Sequence, residues 1–499
     1  MNILLMHPHD LYSSSEPWTV RIKNIACQFE AKGHSLKLVY FPLDKRDIGH
    51  SFLSDNIELI ALDRRLGIFR LFRNILSVMR LSASCDIIHF QKCYYYVALP
   101  ALIAAWIKNK PVHYDWDDWE TKIFYYSNPS QFLVGGFINL FEKLVPMAVD
   151  TVSVSSGYLR QICLLRGVLN KNIFSAPVGA NLEEFFPDPD SKGKVKGKYG
   201  INGQLVLYVG QLHGGQYAEL FIAAAADILK ENKRDIYFMI VGDGYRLNEL
   251  KRIASDMGLG PRFIFSGFIP HEKVPSYIND ADICVACFED NAITRCKSPL
   301  KIAEYLACAK AIVASNVGEV RNMAGGVGVL TEPGNVSSLS EGIKSLLDNK
   351  ALRDRLGHYA RLRAERKYNW LVTADNILSA YTEAIRANGD CSGSIQLNGW
   401  RNMAYLEKTE HGFDLLTARV FSITSHAPAP YTIEVKLRKL IGERPDSLTV
   451  DPRCTFYKDD KVPKTINIVQ PKDIIEVTYL VHNGIKVAFN IIVRPPKPF

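Results

Sequence analysis

A lysine and a glutamate three positions apart are the residues with the clearest chemical potential in this chain. They are Lys301 and Glu304, in the segment SPLKIAEYLA (298–307). Ser298 is a typical N-cap and Pro299 a typical first helical residue, so the pattern predicts a helix that begins there. The N–H groups of that helix end would bind phosphate, with Lys301 meeting a diphosphate and Glu304 accepting ribose hydroxyls. An ordinary surface Lys–Glu pair on a capped helix explains the segment alone equally well.

The acidic and aromatic segment HYDWDDWE (113–120) is the second candidate site. Aspartates between tryptophans at the end of a strand are costly unless they face a cleft or bind something. We expect Asp117 and Asp118 to hold sugar hydroxyls or the nucleophilic oxygen of an acceptor, and Trp116 or Trp119 to stack on a sugar. The alternative is helix capping with core tryptophans. Such a cluster is also able to bind a metal ion, which we regard as the less favoured interpretation.

The cysteines do not form a metal or disulfide pattern. Of ten cysteines, Cys284 and Cys287 alone form a CxxC pair, within the apolar run DICVACF. That run predicts a buried strand, whose alternating side chains would place the two thiols on opposite faces. Core packing is therefore expected, and the scattered pattern is typical of a reducing compartment.

Short apolar runs alternate with helical stretches, from NILLM (2–6) onwards, and the rhythm restarts after SKGKVKGKYG (191–200), a segment of linker composition. This alternation predicts two doubly wound α/β units with parallel sheets, whose ligands bind beyond the carboxyl ends of the strands. After about residue 395 the pattern changes to period two, and Asn483-Gly484 predicts a hairpin. The predicted fold class is α/β in two Rossmann-like domains, followed by an all-β, sandwich-like domain.

The composition is that of an ordinary globular protein, with 47% hydrophobic residues and a formal net charge of +8. A mild basic excess suits anionic small molecules or lipid headgroups, but a nucleic-acid binder would show a dense stripe of lysine and arginine. The first residues lack the features of a signal peptide, and the apolar stretch 94–107 is too short to span a bilayer and predicts a buried helix. We therefore expect a cytoplasmic protein that does not bind nucleic acid.

The segment RRLGIFRLFRNILSVMR (64–80) has arginines among apolar residues at helical spacing. Basic amphipathic helices bind anionic interfaces, so we expect peripheral contact with the inner face of the membrane. The alternative is an ordinary helix whose apolar face packs on a sheet.

Residues 1 to about 388 resemble glycosyltransferase family 4, a group of retaining enzymes with the GT-B fold. The resemblance rests on an ordered set of motifs: KGHSLKLV, SVSSGYLRQ, PVGANLEEFFP, LYVGQL, IVGDGYRLNEL, FSGFIPHEKVPSYINDADICVACF, SPLKIAEYLACAKAIVAS and KYNW. Each motif is weak alone, but the set in this order is specific. It implies an N-terminal acceptor domain (1–184), a nucleotide-sugar-binding domain (185–370), a closing helix that crosses back (371–390) and an accessory β-domain (395–499).

The resemblance also implies which residues contact the donor. Glu304 would hold the ribose, and backbone groups would bind the distal phosphate at Ser298, Pro299 and Leu300. Backbone at Phe268 and Ile269 would meet the base. The loop glycines Gly210 and Gly242 would let backbone approach the donor, although a glycine in a turn is more often only a turn.

Two serines stand where the family has a glycine pair in its N-terminal loop. Ser14 and Ser15 would supply hydroxyl and amide donors, and a plain polar loop is the alternative. Asp117 stands where relatives often present a histidine toward the donor sugar.

The chain departs from the family pattern at the diphosphate. Gln211 and Gln216 replace an arginine and a lysine that usually clamp it, and Cys296 replaces a glutamate that contacts the donor sugar. Leaving-group stabilisation needs positive charge or preorganised N–H dipoles. The first candidate for this role is Lys301, and the next are Arg295 and Lys297.

The implied function is retaining hexosyl transfer from a UDP- or GDP-linked sugar to a glycan or lipid-linked oligosaccharide. In the expected front-face mechanism the leaving phosphate helps to deprotonate the acceptor, and neither a metal nor another cofactor is expected. The missing clamp leaves open a nucleotide-sugar-binding protein of the same fold without turnover. In either case the β-domain would be a carbohydrate-binding or assembly module. The motifs indicate neither the donor sugar and base, nor the acceptor, nor the oligomeric state.

Overall fold

A computed structural model describes residues 1–12, 19–43, 56–128, 130–215, 217–231 and 235–389, together with strands between 414 and 494. The chain divides into two compact units. The first comprises Met1–Val145, Val149–Gln161 and Lys171–Ser392; the second comprises Pro146–Ala148, Ile162–Asn170 and Gly393–Phe499.

The first described strands form a parallel sheet. They are β1 (Asn2–Met6), β2 (Ser35–Tyr40), β3 (Ile57–Ala61), β4 (Ile87–Gln91), β5 (Val112–Trp116), β6 (Thr151–Val154) and β7 (Ile173–Ser175). Their order is β3-β2-β1-β4-β5-β6-β7. The order reverses between β1 and β4, and the crevice at such a switch point is where ligands of open α/β sheets bind.

The helices of this part are α1 (Val20–Ala31), α2 (Ile68–Ser82), α3 (Tyr95–Lys108), α4 (Glu120–Ser127), α5 (Phe132–Leu144) and α6 (Gly157–Leu165). The helix predicted at 94–107 is α3, and its alanine-rich face is buried, as at Ala98 and Ala101. Among the described residues, no helix combines the length and apolar character needed to cross a bilayer.

A second parallel sheet follows, with the order β10-β9-β8-β11-β12-β13 among the described strands. These are β8 (Gln204–Val209), β9 (Ile236–Val241), β10 (Phe263–Phe265), β11 (Ile283–Ala286), β12 (Ile312–Ser315) and β13 (Val329–Thr331). Cys284 and Cys287 are buried in the core clusters on the two sides of this sheet, which confirms their predicted packing. The two predicted α/β units are thus confirmed.

The helices around the second sheet are α7 (Lys194–Lys198), α8 (Ala218–Glu231), α9 (Leu247–Asp256), α10 (Val274–Asp280), α11 (Ala292–Cys296), α12 (Leu300–Ala307), α13 (Gly318–Ala324), α14 (Val336–Leu347) and α15 (Lys350–Arg366). The segment of linker composition, 191–200, lies between the two sheets and contains the short helix α7. Asp280 orders this segment by accepting the N–H groups of Gly193 and Lys196, at 2.6 and 2.7 Å.

The last helix of the α/β region, α16 (Trp370–Gly389), packs on the first sheet rather than the second. Its Tyr381 is buried against Phe29, and the tyrosine hydroxyl lies 2.6 Å from His89 Nδ1. Thr373 donates to the carbonyl of Pro177 at 2.7 Å. The chain therefore returns to its first α/β domain after completing the second.

The chain crosses between the two α/β domains twice, after β7 and before α16, and the two crossing segments pair. Ala180 N–H donates to Tyr368 O at 2.9 Å, and Trp370 N–H donates to Ala180 O at 3.4 Å. Gly179 permits this contact, since a Cβ there would lie 2.2 Å from the carbonyl carbon of Asn369.

The C-terminal strands described are β14 (Asp414–Thr424), β15 (Tyr431–Arg438), β16 (Glu443–Lys458), β17 (Lys461–Lys464), β18 (Ile474–His482) and β19 (Ile485–Arg494). Their order is β15-β14-β18-β19-β16-β17, with an additional β15–β16 pairing. The strands β18 and β19 pair antiparallel, while Asn483 and Gly484 lie outside the described residues. The sandwich-like arrangement stays a prediction.

Candidate functional site

The acidic segment after β5 lies at the carboxyl edge of the first sheet, beside the end of β4. Asp117 Oδ2 accepts a hydrogen bond from Gln91 Nε2 at 2.8 Å, and its Oδ1 lies 3.3 Å from Lys92 Nζ. Asp118 Oδ2 lies 3.8 Å from the same ammonium, which also pairs with Glu120. The structure therefore brings both predicted aspartates together around a lysine that sequence reasoning missed.

The oxygens of Asp117, Asp118 and Glu120 lie within 4.8 Å of one another, a spacing that would suit a metal ion. The Lys92 ammonium already lies among them and balances part of their charge. Burial lowers the pKa of Lys92, but the three carboxylates outweigh it and raise that pKa well above its usual value. The residues present thus give the carboxylates a cationic partner from the protein itself.

A buried glutamate on α5 positions this segment. Glu142 accepts hydrogen bonds from the backbone N–H groups of Glu120 and Thr121 at 2.8 and 3.2 Å. It thereby satisfies the first N–H groups of α4 and places a negative charge at the positive helix end. Glu142 also accepts from Trp116 Nε1 at 3.2 Å.

The two tryptophans of the segment differ. Trp116 is completely buried, so the expectation that it stacks on a sugar was wrong, and the core alternative applies to it. Trp119 is partly exposed and packs its ring at 5.9 Å from that of Tyr158. Trp119 alone of the pair is available for stacking.

A buried ion pair supports the same sheet edge from behind. Arg21 on α1 donates to both oxygens of Asp115 at 2.7 Å and to the carbonyl of Ala176 at 2.9 Å. Burial alone would raise the pKa of Asp115, but Arg21 outweighs it and holds that pKa well below its usual range. Ser153 adds a hydrogen bond to Asp115 at 2.5 Å. The strand end that carries the acidic segment is therefore firmly anchored.

Lys301 lies at the carboxyl edge of the second sheet, under the loop that follows β8. It is buried, and its Nζ lies 4.0 Å from the ring centroid of Tyr208. A Cβ on Gly210 would approach that Nζ to 2.6 Å, so the glycine makes room for the ammonium. Burial, with a smaller contribution from Lys297, lowers the pKa of Lys301 to about 7.

The loop after β8 also carries His213, which sequence reasoning missed. Burial, followed by the charges of Lys297 and Lys301, lowers the pKa of His213 to about 4. The backbone N–H of Gly215 donates to His213 Nδ1 at 3.3 Å, which leaves the proton of the neutral ring on Nε2. Two cations and a neutral imidazole thus converge where β8 ends, an arrangement that favours an anionic ligand.

Glu304 lies one turn further along α12 and is buried. His271 Nε2 lies 2.8 Å from its Oε1, and this hydrogen bond raises the pKa of His271. The exposed His271 therefore already pairs with one oxygen of the carboxylate that is predicted to accept the ribose hydroxyls. His271 lies in the family-like motif that begins FSGFIPHEK, but no spacing rule connects it with Glu304.

The start of α12 differs from the prediction. The helix begins at Leu300, and its N-cap is Pro299 without a side-chain cap, so the assignment of Ser298 as N-cap was wrong. Ser298 Oγ instead accepts the backbone N–H of Val178 at 3.3 Å. The serine thus ties the helix start to the segment that crosses between the domains, because its hydroxyl has a long-range partner.

The predicted donor loops follow β8, β9 and β10 at one sheet edge. A Cβ on Gly242 would lie 1.9 Å from the carbonyl oxygen of Gly210, so these glycines let two loops pack on each other. Phe268 and Gln211 are exposed, and Ile269 is partly exposed. The remaining predicted positions lie outside the described residues: Ser14, Ser15 and Gln216.

The other candidate positions around α11 are distinct in character. Cys296 is buried and its thiol donates to Ile293 O at 3.1 Å, so it does not replace a carboxylate that faces a ligand. Arg295 is paired with Asp290 at 2.6 Å. After Lys301, Lys297 is therefore the better candidate of the two for contact with the diphosphate.

The two sheet edges face each other within one compact unit. Tyr126 on α4 donates to Gly214 O at 2.9 Å, and Gly157 N–H donates to Glu319 Oε2 at 3.1 Å. The charge of Lys297 in the second domain also lowers the pKa of Asp118 in the first. The acidic and cationic groups thus line opposite sides of one cleft.

Part of the second domain matches a known protein family. Residues 192–363 match the family of glycosyl transferases group 1. The chain is 28% identical over 206 residues to alpha-D-kanosaminyltransferase of Streptomyces kanamyceticus, which is 40% of this chain and 51% of that protein. It is 25% identical over 199 residues to the GDP-mannose-dependent alpha-(1-6)-phosphatidylinositol monomannoside mannosyltransferase of Mycolicibacterium smegmatis, 39% of this chain and 52% of that protein. The chain spans about half the length of these relatives.

Among solved structures, Anabaena Alr3699/HepE in complex with UDP-glucose is similar, with a TM-score of 0.60 and 15% sequence identity. The match covers 77% of this chain and 100% of that one. A likeness at this identity concerns the fold, and it agrees with the predicted pair of Rossmann-like domains of GT-B type.

Proposed function

Since the chain carries a domain of the group 1 glycosyltransferases, we propose that it transfers a hexosyl group from a UDP- or GDP-linked sugar to a glycan or lipid-linked acceptor. The observation that carries the proposal is the cluster at the end of β8, where Lys297, Lys301 and the neutral His213 lie next to the start of α12. Positive charge and helix N–H groups at this place suit a nucleoside diphosphate. The solved relative named above binds UDP-glucose in a similar fold.

The proposed reaction retains the anomeric configuration and uses neither a metal nor another cofactor. Lys301 stabilises the charge that develops on the leaving diphosphate, and the helix start at Ser298, Pro299 and Leu300 holds the distal phosphate. Glu304 binds the ribose after exchanging its His271 hydrogen bond for hydroxyl partners. The backbone of Phe268 and Ile269 meets the base.

Turnover is tested by the release of free UDP or GDP from a panel of nucleotide sugars. Release by the wild-type chain supports a transferase, and relatives named as transferases favour it over a binding protein without turnover. Binding of donors without any release would support that alternative instead. Absence of both binding and release would refute the proposed function.

Replacing Glu304 by alanine should weaken donor binding by about 1–3 kcal/mol, since a charged acceptor of two ribose hydroxyls is lost. Isothermal titration with UDP and GDP measures the effect. Glu249→Ala is the control, because Glu249 lies on α9 and pairs with Arg246 on the surface. An unchanged dissociation constant for Glu304→Ala would remove this residue from the donor site.

We also propose that α2 contacts an anionic membrane face. Its first turns expose Phe69 and Phe72, at 88% and 60%, beside Arg70 and Arg73. The buried residues of the helix lie on one face, at Asn74, Val78 and Ser82, and the helix contacts α3. Exposed apolar side chains flanked by arginine are the features that bind anionic interfaces.

Co-sedimentation with vesicles tests this contact. The chain should sediment with phosphatidylglycerol vesicles at low salt and stay in solution with neutral phosphatidylcholine vesicles, because the arginines require anionic headgroups. A Phe69→Ser/Phe72→Ser variant should lose most of the binding. Equal sedimentation of this variant and the wild-type chain would refute the role of α2.

The C-terminal β-domain is proposed to be a carbohydrate-binding or assembly module. The α/β architecture is complete at α16, and the strands from β14 onwards form a separate sheet. Its task would be acceptor capture or assembly rather than the chemical step.

A further inference from the structure

We propose that Lys92 gives the two aspartates of the first sheet edge different tasks. Lys92 and Gln91 hold Asp117 in place, and Asp118 accepts a hydrogen bond from the acceptor hydroxyl, whose proton passes to the leaving diphosphate as the new glycosidic bond forms. This division rests on the proposed function, because the ligand is the hydroxyl that attacks the donor sugar. Lys92 acts through the carboxylates and is a positioning residue.

The backbone of Lys92 is held in a costly conformation at the end of β4. Its φ is 63°, in the left-handed region that residues other than glycine seldom adopt. Its N–H donates to Asp115 O at 3.2 Å, and its side chain is buried. Such strain persists where surrounding contacts enforce it, and it concentrates at functional sites. Here the side chain of the strained residue pairs with the carboxylates after β5.

Asp117 accepts a hydrogen bond at one carboxylate oxygen, and the other lies near an ammonium without a hydrogen bond. Gln91 donates to Oδ2 at 2.8 Å, and Lys92 lies 3.3 Å from Oδ1. His7 Nδ1 lies 2.7 Å from Gln91 Oε1, which can only accept, so the imidazole donates and the orientation of the amide is fixed. A chain of donors from the ends of β1 and β4 therefore immobilises Asp117.

Asp118 is the more available carboxylate. Its side chain is 32% exposed, against 14% for Asp117, and it lies 3.8 Å from the ammonium. In the part of the chain that the structure describes, no hydrogen bond to its carboxylate is found. Lys297 faces it from the second domain. Asp118 therefore retains acceptor capacity for a hydroxyl that enters the cleft.

The electrostatic environment of Asp118 supports this role. Burial, with the negative charges of Asp117 and Glu120, raises the pKa of Asp118 to about 6, against the opposing charges of Lys92 and Lys297. The thiol of Cys296 on α11 also lies near. The carboxylate is ionised above this pKa, so its ability to accept a hydroxyl hydrogen increases as the pH rises through about 6.

Donor hydrolysis tests the division of tasks, with water as the acceptor and free nucleoside diphosphate as the product. Asp118→Asn should lower kcat about tenfold with an unchanged donor KM and should remove the rise of the rate near pH 6. Lys92→Met should lower kcat and shift that rise to higher pH, because the ammonium no longer favours the ionised form of Asp118. Lys92→Arg should restore most of the rate, since it keeps the charge.

Lys122→Met is the matched control, because Lys122 is exposed on α4 close to the same segment. It should leave the rate and the pH profile unchanged. A wild-type chain that releases no nucleoside diphosphate would refute the proposed function. Wild-type release with an unaltered Asp118→Asn variant, or a Lys92→Met variant that loses rate without a shift in its pH profile, would overturn the division of tasks alone.

Discussion

Replacing Arg21 by methionine should lower the free energy of unfolding of the first α/β domain by about 3–5 kcal/mol. Removing one member of a buried ion pair leaves the other charge without compensation, and Asp115 is completely buried. The loss should appear as a lower melting temperature of the first thermal transition, because several transitions are expected for a chain with more than one domain.

Two further variants show whether the buried charge causes the loss. Adding Asp115→Asn to Arg21→Met should recover part of the stability, because the uncompensated carboxylate is removed and the pair acts as a unit. Arg65→Met should lower the melting temperature much less, since Arg65 is itself exposed and Arg70 and Arg73 also lie near the carboxylate of Asp63. Equal effects of Arg21→Met and Arg65→Met would contradict this interpretation of the pair.

Replacing Lys301 by methionine should lower kcat by about 10²–10³-fold, the usual effect of removing one group that stabilises developing negative charge. The substitution should not destabilise the fold, because an apolar side chain of similar length replaces a buried ammonium beside Tyr208. Donor KM should change less than kcat, as expected for an interaction that strengthens in the transition state.

The pH dependence gives an independent measurement of the same role. The ammonium of Lys301 is present below its pKa of about 7 and is lost above it, so kcat/KM should fall as the pH rises through 7. Lys310→Met is the matched control, because Lys310 is also largely buried but donates to the carbonyls of Asn279 and Ala281. It should affect stability and spare turnover. A flat profile between pH 6 and 8 would exclude Lys301 from leaving-group stabilisation.

The sequence predicted the two parallel sheets well because their strands are short apolar runs between helices, and this pattern is local. It placed Lys301 and Glu304 on one helix for the same reason. It erred where a long-range contact decides, as at Ser298, whose hydroxyl bonds Val178 instead of capping α12. Trp116 is a similar case, since its buried indole N–H finds its acceptor in Glu142, 26 positions later.

The residues that sequence reasoning missed have no local signature. Lys92 follows an ordinary strand, and only the parallel pairing of β4 with β5 brings it to the aspartates. The pKa of His213 is lowered by burial and by Lys297 and Lys301, and that of His271 is raised by Glu304, all distant in sequence from the two histidines. A lysine directly after a strand that pairs with an acidic strand end is the one signal that would have indicated Lys92.

The paired crossing segments restrict how the cleft can open. A single connection between two domains would allow rotation in any direction, as in a ball joint. Here both connections are hydrogen-bonded to each other at Ala180, so a rotation of one α/β domain bends the two segments at the same level. The cleft should therefore open by a hinge rotation about one axis, which passes near Ala180. A side chain at Gly179 would separate the two crossing segments, since a Cβ there would lie 2.2 Å from Asn369. It would therefore relax the restriction on the hinge rotation without disturbing the core of either domain.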